Sequence, residues 1–203
     1  MLLILEELGK KPQSLQSRLT EKAEKIAESL KLTEGLGIDL MLIGDDIAYG
    51  SGLYFSPVIF RELLMPPYRI LANQISKTIP VLGWHSDGDV STILPDLVDC
   101  GFRFFSLESE CVDLLNFKRT YGNRVTLIGG ICTAWLTRKG LDLTQQKECL
   151  EEIKTLAREG GLILSSSCGL YHPKFLSVLQ EFYRLVEGIK IFGYDAFKNC
   201  SVS

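Results

Sequence analysis

The feature that most constrains this chain is a rhythm: short apolar runs that do not alternate with polar residues, separated by stretches at helical spacing. The runs fall at 38–43, 80–84, 102–106, 125–128 and 162–166. Helical stretches read at 12–34, from Pro57 to about Lys77, from about Val90 to Cys100, from Val112 to Gly122, from Thr144 to Arg158 and at 173–187. The first carries Leu15, Leu19, Ala23, Ile26 and Leu30 on one expected face. Pro57 suits a first helical turn, after a loop rich in Gly and Tyr from Tyr49 to Ser56. A strand apolar on both sides is one covered on both faces, as in a parallel sheet. Alternating βα units leave an open doubly wound sheet or a (β/α)8 barrel. The open dinucleotide-binding form requires G-x-G-x-x-G directly after a strand. The nearest match, Gly50-Ser51-Gly52-Leu53-Tyr54-Phe55, lacks the third glycine and lies several residues past its strand. The expected fold class is therefore α/β, of the (β/α)8 TIM-barrel type.

Composition removes several function classes. A net charge of −3 without a polybasic tract argues against a nucleic-acid partner. No apolar run approaches the roughly 20 residues that span a bilayer. The opening Met1-Leu2-Leu3-Ile4-Leu5 is halted by Glu6-Glu7 and has no basic flank, so it does not read as a signal peptide. The six cysteines form no C-x-x-C pair. They read as thiols of a cytoplasmic protein, with Cys100, Cys111, Cys149 and Cys200 assigned to packing or surface.

The chemistry sits where the apolar runs end, because parallel strand ends converge on one rim. These ends carry Asp45-Asp46, His85 and Asp87, Glu108, Cys132, and Ser165 to Cys168. His85, Asp87 and Cys168 together offer an imidazole, a carboxylate and a thiolate, a set suited most readily to zinc. Asp87, ahead of Gly88 and Asp89, serves equally well as a turn or cap residue. Asp45 and Asp46 suit a catalytic or substrate-binding role or a loop cap, and Glu108 would be costly to bury unpaired. Tyr49, Tyr54 and Cys132 are candidates to line a substrate site, although aromatic loop residues are common without one. His172, before Pro173 at a helix start, reads as structural.

The motifs in combination resemble a family. Gly44-Asp45-Asp46, then Ser56-Pro57-x-x-Phe60-Arg61-Glu62 and Pro67-Tyr68, is similar to a stretch of the uroporphyrinogen decarboxylase superfamily. So are Trp84-His85-Ser86-Asp87-Gly88-Asp89 with Leu94-Pro95-Asp96-Leu97, and Lys118-x-x-Tyr121-Gly122-Asn123-Arg124 with Leu127-Ile128-Gly129-Gly130-Ile131. Ser166-Ser167-Cys168-Gly169 closes the resemblance, which covers about residues 38–188. It implies a (β/α)8 barrel and one of two chemistries. One is the decarboxylation of a tetrapyrrole. The other is zinc-dependent transfer of a methyl group from a corrinoid protein to a thiol such as coenzyme M.

The departures favour the second. The arginine-bearing first third of the decarboxylases has no counterpart here, and their late histidine motif is replaced by Cys168-Gly169-Leu170. The methyltransferase branch has a cysteine there and a His-x-Cys on an earlier strand, and the three bind zinc. This chain keeps His85 and Cys168 and has Asp87 in place of the middle cysteine. The resemblance thus implies metal ligands His85, Asp87 and Cys168, while position alone offers Asp45, Asp46 and Glu108 as catalytic candidates and Tyr49, Tyr54 and Cys132 as substrate-binding candidates. It also implies a corrinoid protein and a small thiol as partners, with a tetrapyrrole as the alternative.

Residues 1–203 read as one domain lacking the family's first portion, a partial barrel of about five βα units. A full barrel takes about 250 residues, and five strands do not close at normal tilt. Apolar edges at 38–43 and 162–166 then invite self-association, or mark a shortened chain of low activity, even a non-catalytic binding protein.

Overall fold

The computed structural model describes residues 7, 9–131, 142–158, 160–166 and 172–187. The chain forms two compact units, one up to Phe105 and one from Ser106.

In the first unit, helix α1 (Pro12–Ser29) opens with proline at its first turn, where no intrahelical N–H partner is needed. It buries Leu15, Ala23 and Ala27, and the two small alanines let it lie along α3 (Met65–Ile75). Ile26, expected on that face, is exposed, and Ala27 takes its place; the stripe runs in steps of four rather than three. Strand β1 (Leu40–Gly44) pairs in parallel with β4 (Val81–Ser86), in a register from Leu40 opposite Val81 to Gly44 opposite His85. The segment after β1, read as an open loop, holds a small hairpin of β2 (Ala48–Tyr49) and β3 (Gly52–Leu53).

Ser56 then caps α2 (Pro57–Ile59), its hydroxyl accepting the Ile59 N–H at 3.3 Å. A π-turn over Phe60–Leu64 joins α2 to α3. Such a turn loosens the backbone ladder, and Gln16 Nε2 of α1 donates to the Glu62 carbonyl at 2.9 Å. Arg61, on the same turn, reaches both carboxylate oxygens of Asp96 at 3.1 and 3.0 Å on helix α4 (Leu94–Cys100). The Phe-Arg-Glu and Leu-Pro-Asp motifs thus meet in one bifurcated contact, in which the Arg61 Nε–H donates to both oxygens of Asp96. The core beneath is aromatic and dense: Phe60, Trp84, Phe102 and Phe105 are fully buried. Strand β5 (Phe104–Leu107) begins beside β4, where the Arg103 N–H donates to the Leu82 carbonyl at 2.9 Å.

The division between the units falls inside β5. In the second unit, Asp113 caps α5 (Leu114–Tyr121) by accepting the Asn116 N–H at 2.9 Å. Lys118 on that helix is buried, yet its ammonium donates to the carbonyls of Gly122 at 3.0 Å and Val125 at 2.9 Å. It fastens the helix end to the start of β6 (Thr126–Ile131). Asp142 and Gln145 form a reciprocal capping box at α6 (Leu143–Ala157). β6 pairs in parallel with β7 (Leu162–Ser166), from Leu127 opposite Leu162 to Ile131 opposite Ser166. Ile131, Cys149 and Ile153 pack with Phe182 and Val186 of α7 (Pro173–Glu187).

The expectation that all strands are covered on both faces fails at two of them. β4 is almost wholly buried, but Leu42 of β1 and Ile163 of β7 are each 44% exposed. No described helix is long and apolar enough to cross a membrane. Cys100, Cys111 and Cys149 are thiols rather than disulfides.

Candidate functional site

The β1–β4 pairing builds the site. With Gly44 opposite His85, two further steps along both chains bring Asp46 level with Asp87. His85 and Asp87 are two residues apart and lean to the same side of an extended chain. Asp46 Oδ1 lies 3.9 Å from His85 Nε2, and Asp87 Oδ1 lies 3.6 Å from it. One donor atom from each of Asp46, His85 and Asp87 falls within 4.8 Å of the others. The three are part-exposed to exposed, so a ligand reaches them from solvent.

Backbone contacts hold the cluster's geometry. The Asp87 N–H donates to Asp46 Oδ1 at 3.2 Å, and the Asp45 N–H donates to the His85 carbonyl at 3.0 Å. The buried Ser86 hydroxyl accepts the Ile47 N–H at 3.3 Å and donates to the Asp87 carbonyl at 2.8 Å. Asp89 supplies a turn contact here, its carboxylate accepting the Ser91 N–H at 3.0 Å. Gly88 passes against the hairpin with φ +81°; a Cβ there would sit 2.6 Å from the backbone of Ala48 and Tyr49. The Asp89 N–H donates to the Tyr49 carbonyl at 2.9 Å, so hairpin and strand end are stitched together. Tyr49 and Tyr54, half-exposed on that hairpin, stack at 5.6 Å between ring centroids.

Asp45 points away from solvent. The Tyr68 hydroxyl donates to its Oδ2 at 2.7 Å. Burial raises the Asp45 carboxyl above its ordinary value; the Tyr68 hydrogen bond opposes that and the Asp46 charge adds to it. Burial, then the Asp45 charge, pushes Tyr68 well above the ordinary tyrosine value, so the phenol stays protonated and keeps donating. The buried Trp84 indole Nε1 faces this hydroxyl and opposes the rise in the Tyr68 value, the smallest of the effects on it. Asp45 and Tyr68 therefore form the inner wall, and Asp46, His85 and Asp87 the outer face.

Of the residues singled out from sequence, His85, Asp87, Asp46, Asp45, Tyr49 and Tyr54 all lie within this first unit. Glu108 belongs to the second unit, where its carboxylate accepts from the Cys111 thiol at 3.4 Å and its carbonyl takes the N–H groups of Cys111 and Val112. Cys132 and Cys168 lie outside the described residues. The exposed His172 stacks near Phe175 at 6.0 Å, ahead of α7. Sequence reading missed Asp46 as a companion of His85, and quoted Tyr68 only within the Pro67-Tyr68 motif, without a role at the site. Asp46 is two places past Gly44, which ends β1, and only the register with β4 assigns it to the imidazole.

The comparisons with known proteins agree with one another. Residues 2–188 match the family profile of uroporphyrinogen decarboxylase (URO-D). The chain is 30% identical over 138 residues to a methylcobamide:CoM methyltransferase MtaA of Methanosarcina barkeri, covering 66% of this chain and 37% of that protein. A second such enzyme, from Methanosarcina barkeri strain Fusaro, is 27% identical over 165 residues, 79% of this chain and 45% of its own length. The chain thus spans less than half the length of these curated relatives. A methyltransferase from Methanosarcina mazei has a solved structure that superimposes with a TM-score of 0.59 at 26% identity, over 89% of this chain and 53% of that one. With β1, β4, β5, β6 and β7 alternating with helices, and with this match along almost its whole length, the chain belongs to the uroporphyrinogen decarboxylase (URO-D) family, of the α/β TIM-barrel type.

Proposed function

We propose that this chain is a methyltransferase-type enzyme that moves a methyl group from a corrinoid carried by a partner protein to a metal-activated thiol. The observation that carries this reading is the convergence of His85 with Asp87 and Asp46 at the ends of β4 and β1. The names of its curated relatives support the same class of reaction. The donor set fits zinc: bonds of about 2.0–2.2 Å in a tetrahedron place ligand atoms roughly 3.3–3.6 Å apart. The His85–Asp87 and His85–Asp46 separations of 3.6 and 3.9 Å lie close to that range. Cys168, the third ligand expected from sequence, lies outside the described residues.

A bound zinc ion would supply Lewis acidity, lowering the pKa of a coordinated thiol so that it is a nucleophile near neutral pH. The chain's own residues do the rest. His85 and Asp87 present donors from the end of a strand whose own residues are largely buried. Asp45, fixed by Tyr68, braces the loop that carries Asp46. Tyr49 and Tyr54 offer an aromatic flank for the incoming thiol's apolar portion. The thiols at Cys100, Cys111 and Cys149 support the cytoplasm as the working compartment.

The test is methyl transfer by the purified full chain, with methylcobalamin as donor and coenzyme M as acceptor. Methyl thioether formation that stops on chelation and returns with zinc is the expected result. Release of carbon dioxide from uroporphyrinogen without methyl transfer would establish the decarboxylase chemistry instead.

A further inference from the structure

Resting on that reading, we infer that Asp46 is the third protein ligand of the metal, so that Asp46, His85 and Asp87 form an all oxygen-and-nitrogen site complete within the first unit, without Cys168. The argument begins with register. Two parallel strands ending level place the second residue past Gly44 beside the second residue past His85. Those residues are Asp46 and Asp87, and each brings a carboxylate oxygen within 3.9 Å of one imidazole nitrogen. The Asp87 N–H bonded to Asp46 Oδ1 holds the Asp46 carboxylate turned toward β4 rather than free to rotate into solvent.

Charge is conserved by this arrangement. One neutral imidazole with two carboxylates carries the same formal −2 as one imidazole with two thiolates, so a divalent cation is equally well neutralised. Hardness is not conserved. Carboxylates favour harder cations and thiolates favour softer ones. The ligand class assigned to this site is therefore a borderline-to-hard divalent cation, with cobalt(II) and manganese(II) accepted alongside zinc.

Cobalt(II) alone, titrated into the metal-free full chain, provides a readout independent of turnover. The visible d–d spectrum reports coordination, and a near-ultraviolet band reports any thiolate bonded to cobalt. The expected result is binding without the thiolate band, weakened about 100-fold or more in Asp46→Asn and unchanged in Cys168→Ser. Asparagine keeps an oxygen for the Asp87 N–H and Asp46 is exposed, so the variant should melt like the parent; a melting curve checks this. A strong thiolate band, lost in Cys168→Ser while Asp46→Asn binds normally, overturns the inference and leaves the metal reading intact. Cobalt binding that is absent, or indifferent to His85→Gln, overturns both.

Discussion

The pair β1–β4 and the pair β6–β7 are built alike and finish differently. Both are parallel and in unbroken register over five residue pairs. The first ends in Asp45, Asp46, His85 and Asp87, and the second reaches Gly129, Gly130, Ser165 and Ser166. Each pair leaves one apolar residue 44% exposed, Leu42 on β1 and Ile163 on β7, but β4 of the first pair is sealed by Trp84, which is fully buried. The lesson is that regular pairing supplies positions, while rigidity of a site comes from what is packed under the strand that carries it. In the first pair, a dense aromatic layer of Phe60, Tyr68, Trp84 and Phe102 backs the donor atoms.

The largest expected difference comes from removing one apolar side chain from each pair. Trp84→Ala should cost about 3–5 kcal/mol in chemical denaturation, and Ile163→Ala about 1 kcal/mol or less, as for a partly exposed residue. Equal costs would break the contrast. Next come the two glycines that close each region. Gly88→Ala drives a Cβ into rigid backbone at 2.6 Å at φ +81°, and should cost about 2–3 kcal/mol together with the site's geometry. Gly161→Ala meets the Lys118 ammonium at 2.5 Å and the Val125 carbonyl at 3.0 Å at φ +71°. It should destabilise the second unit while leaving metal affinity untouched. Loss of metal binding in both variants would show that the regions are not distinguished in this way.

Tyr68→Phe removes the donor that Asp45 accepts, leaving a half-buried carboxylate short of one partner. A loss of about 1–2 kcal/mol is expected, with weaker metal binding through the loosened Asp45–Asp46 loop. No change in either quantity would remove Tyr68 from the site's support. The smallest effect belongs to Glu152 on α6, whose carboxyl is raised by burial first and by the Asp113 charge second. A raised folded value means the folded state holds its proton longer than the unfolded one. The contribution of Glu152 is therefore greatest at low pH and is lost as pH rises above the ordinary glutamate value of about 4.3. Glu152→Gln should match the parent in acid and exceed it slightly at neutral pH, read from melts across that interval.

The strands were legible because each is a continuous apolar run, and parallel pairing needs no more local signal than that. The site was legible in part for the same reason: a polar cluster after such a run has only the rim to occupy. What escaped was tertiary. Whether Ile26 or Ala27 faces the core depends on how closely α1 approaches α3, and the small alanines decide it. The β2–β3 hairpin has two-residue strands, too short for any alternation to show. Asp46 and Tyr68 join the site through strand register and a helix packed over β4, and neither is written in local spacing. The exposed faces of Leu42 and Ile163 depend on what lies over each strand, which an apolar run does not state.

The most direct test of the central claim, that the ends of β1 and β4 hold a catalytic metal, is the metal content of the full chain and of His85→Gln after equilibration with zinc and removal of excess. About one zinc per chain in the parent, falling to background in the variant with an unchanged melting curve, is the predicted result. Zinc absent from the parent, or retained in full by the variant, would contradict the account.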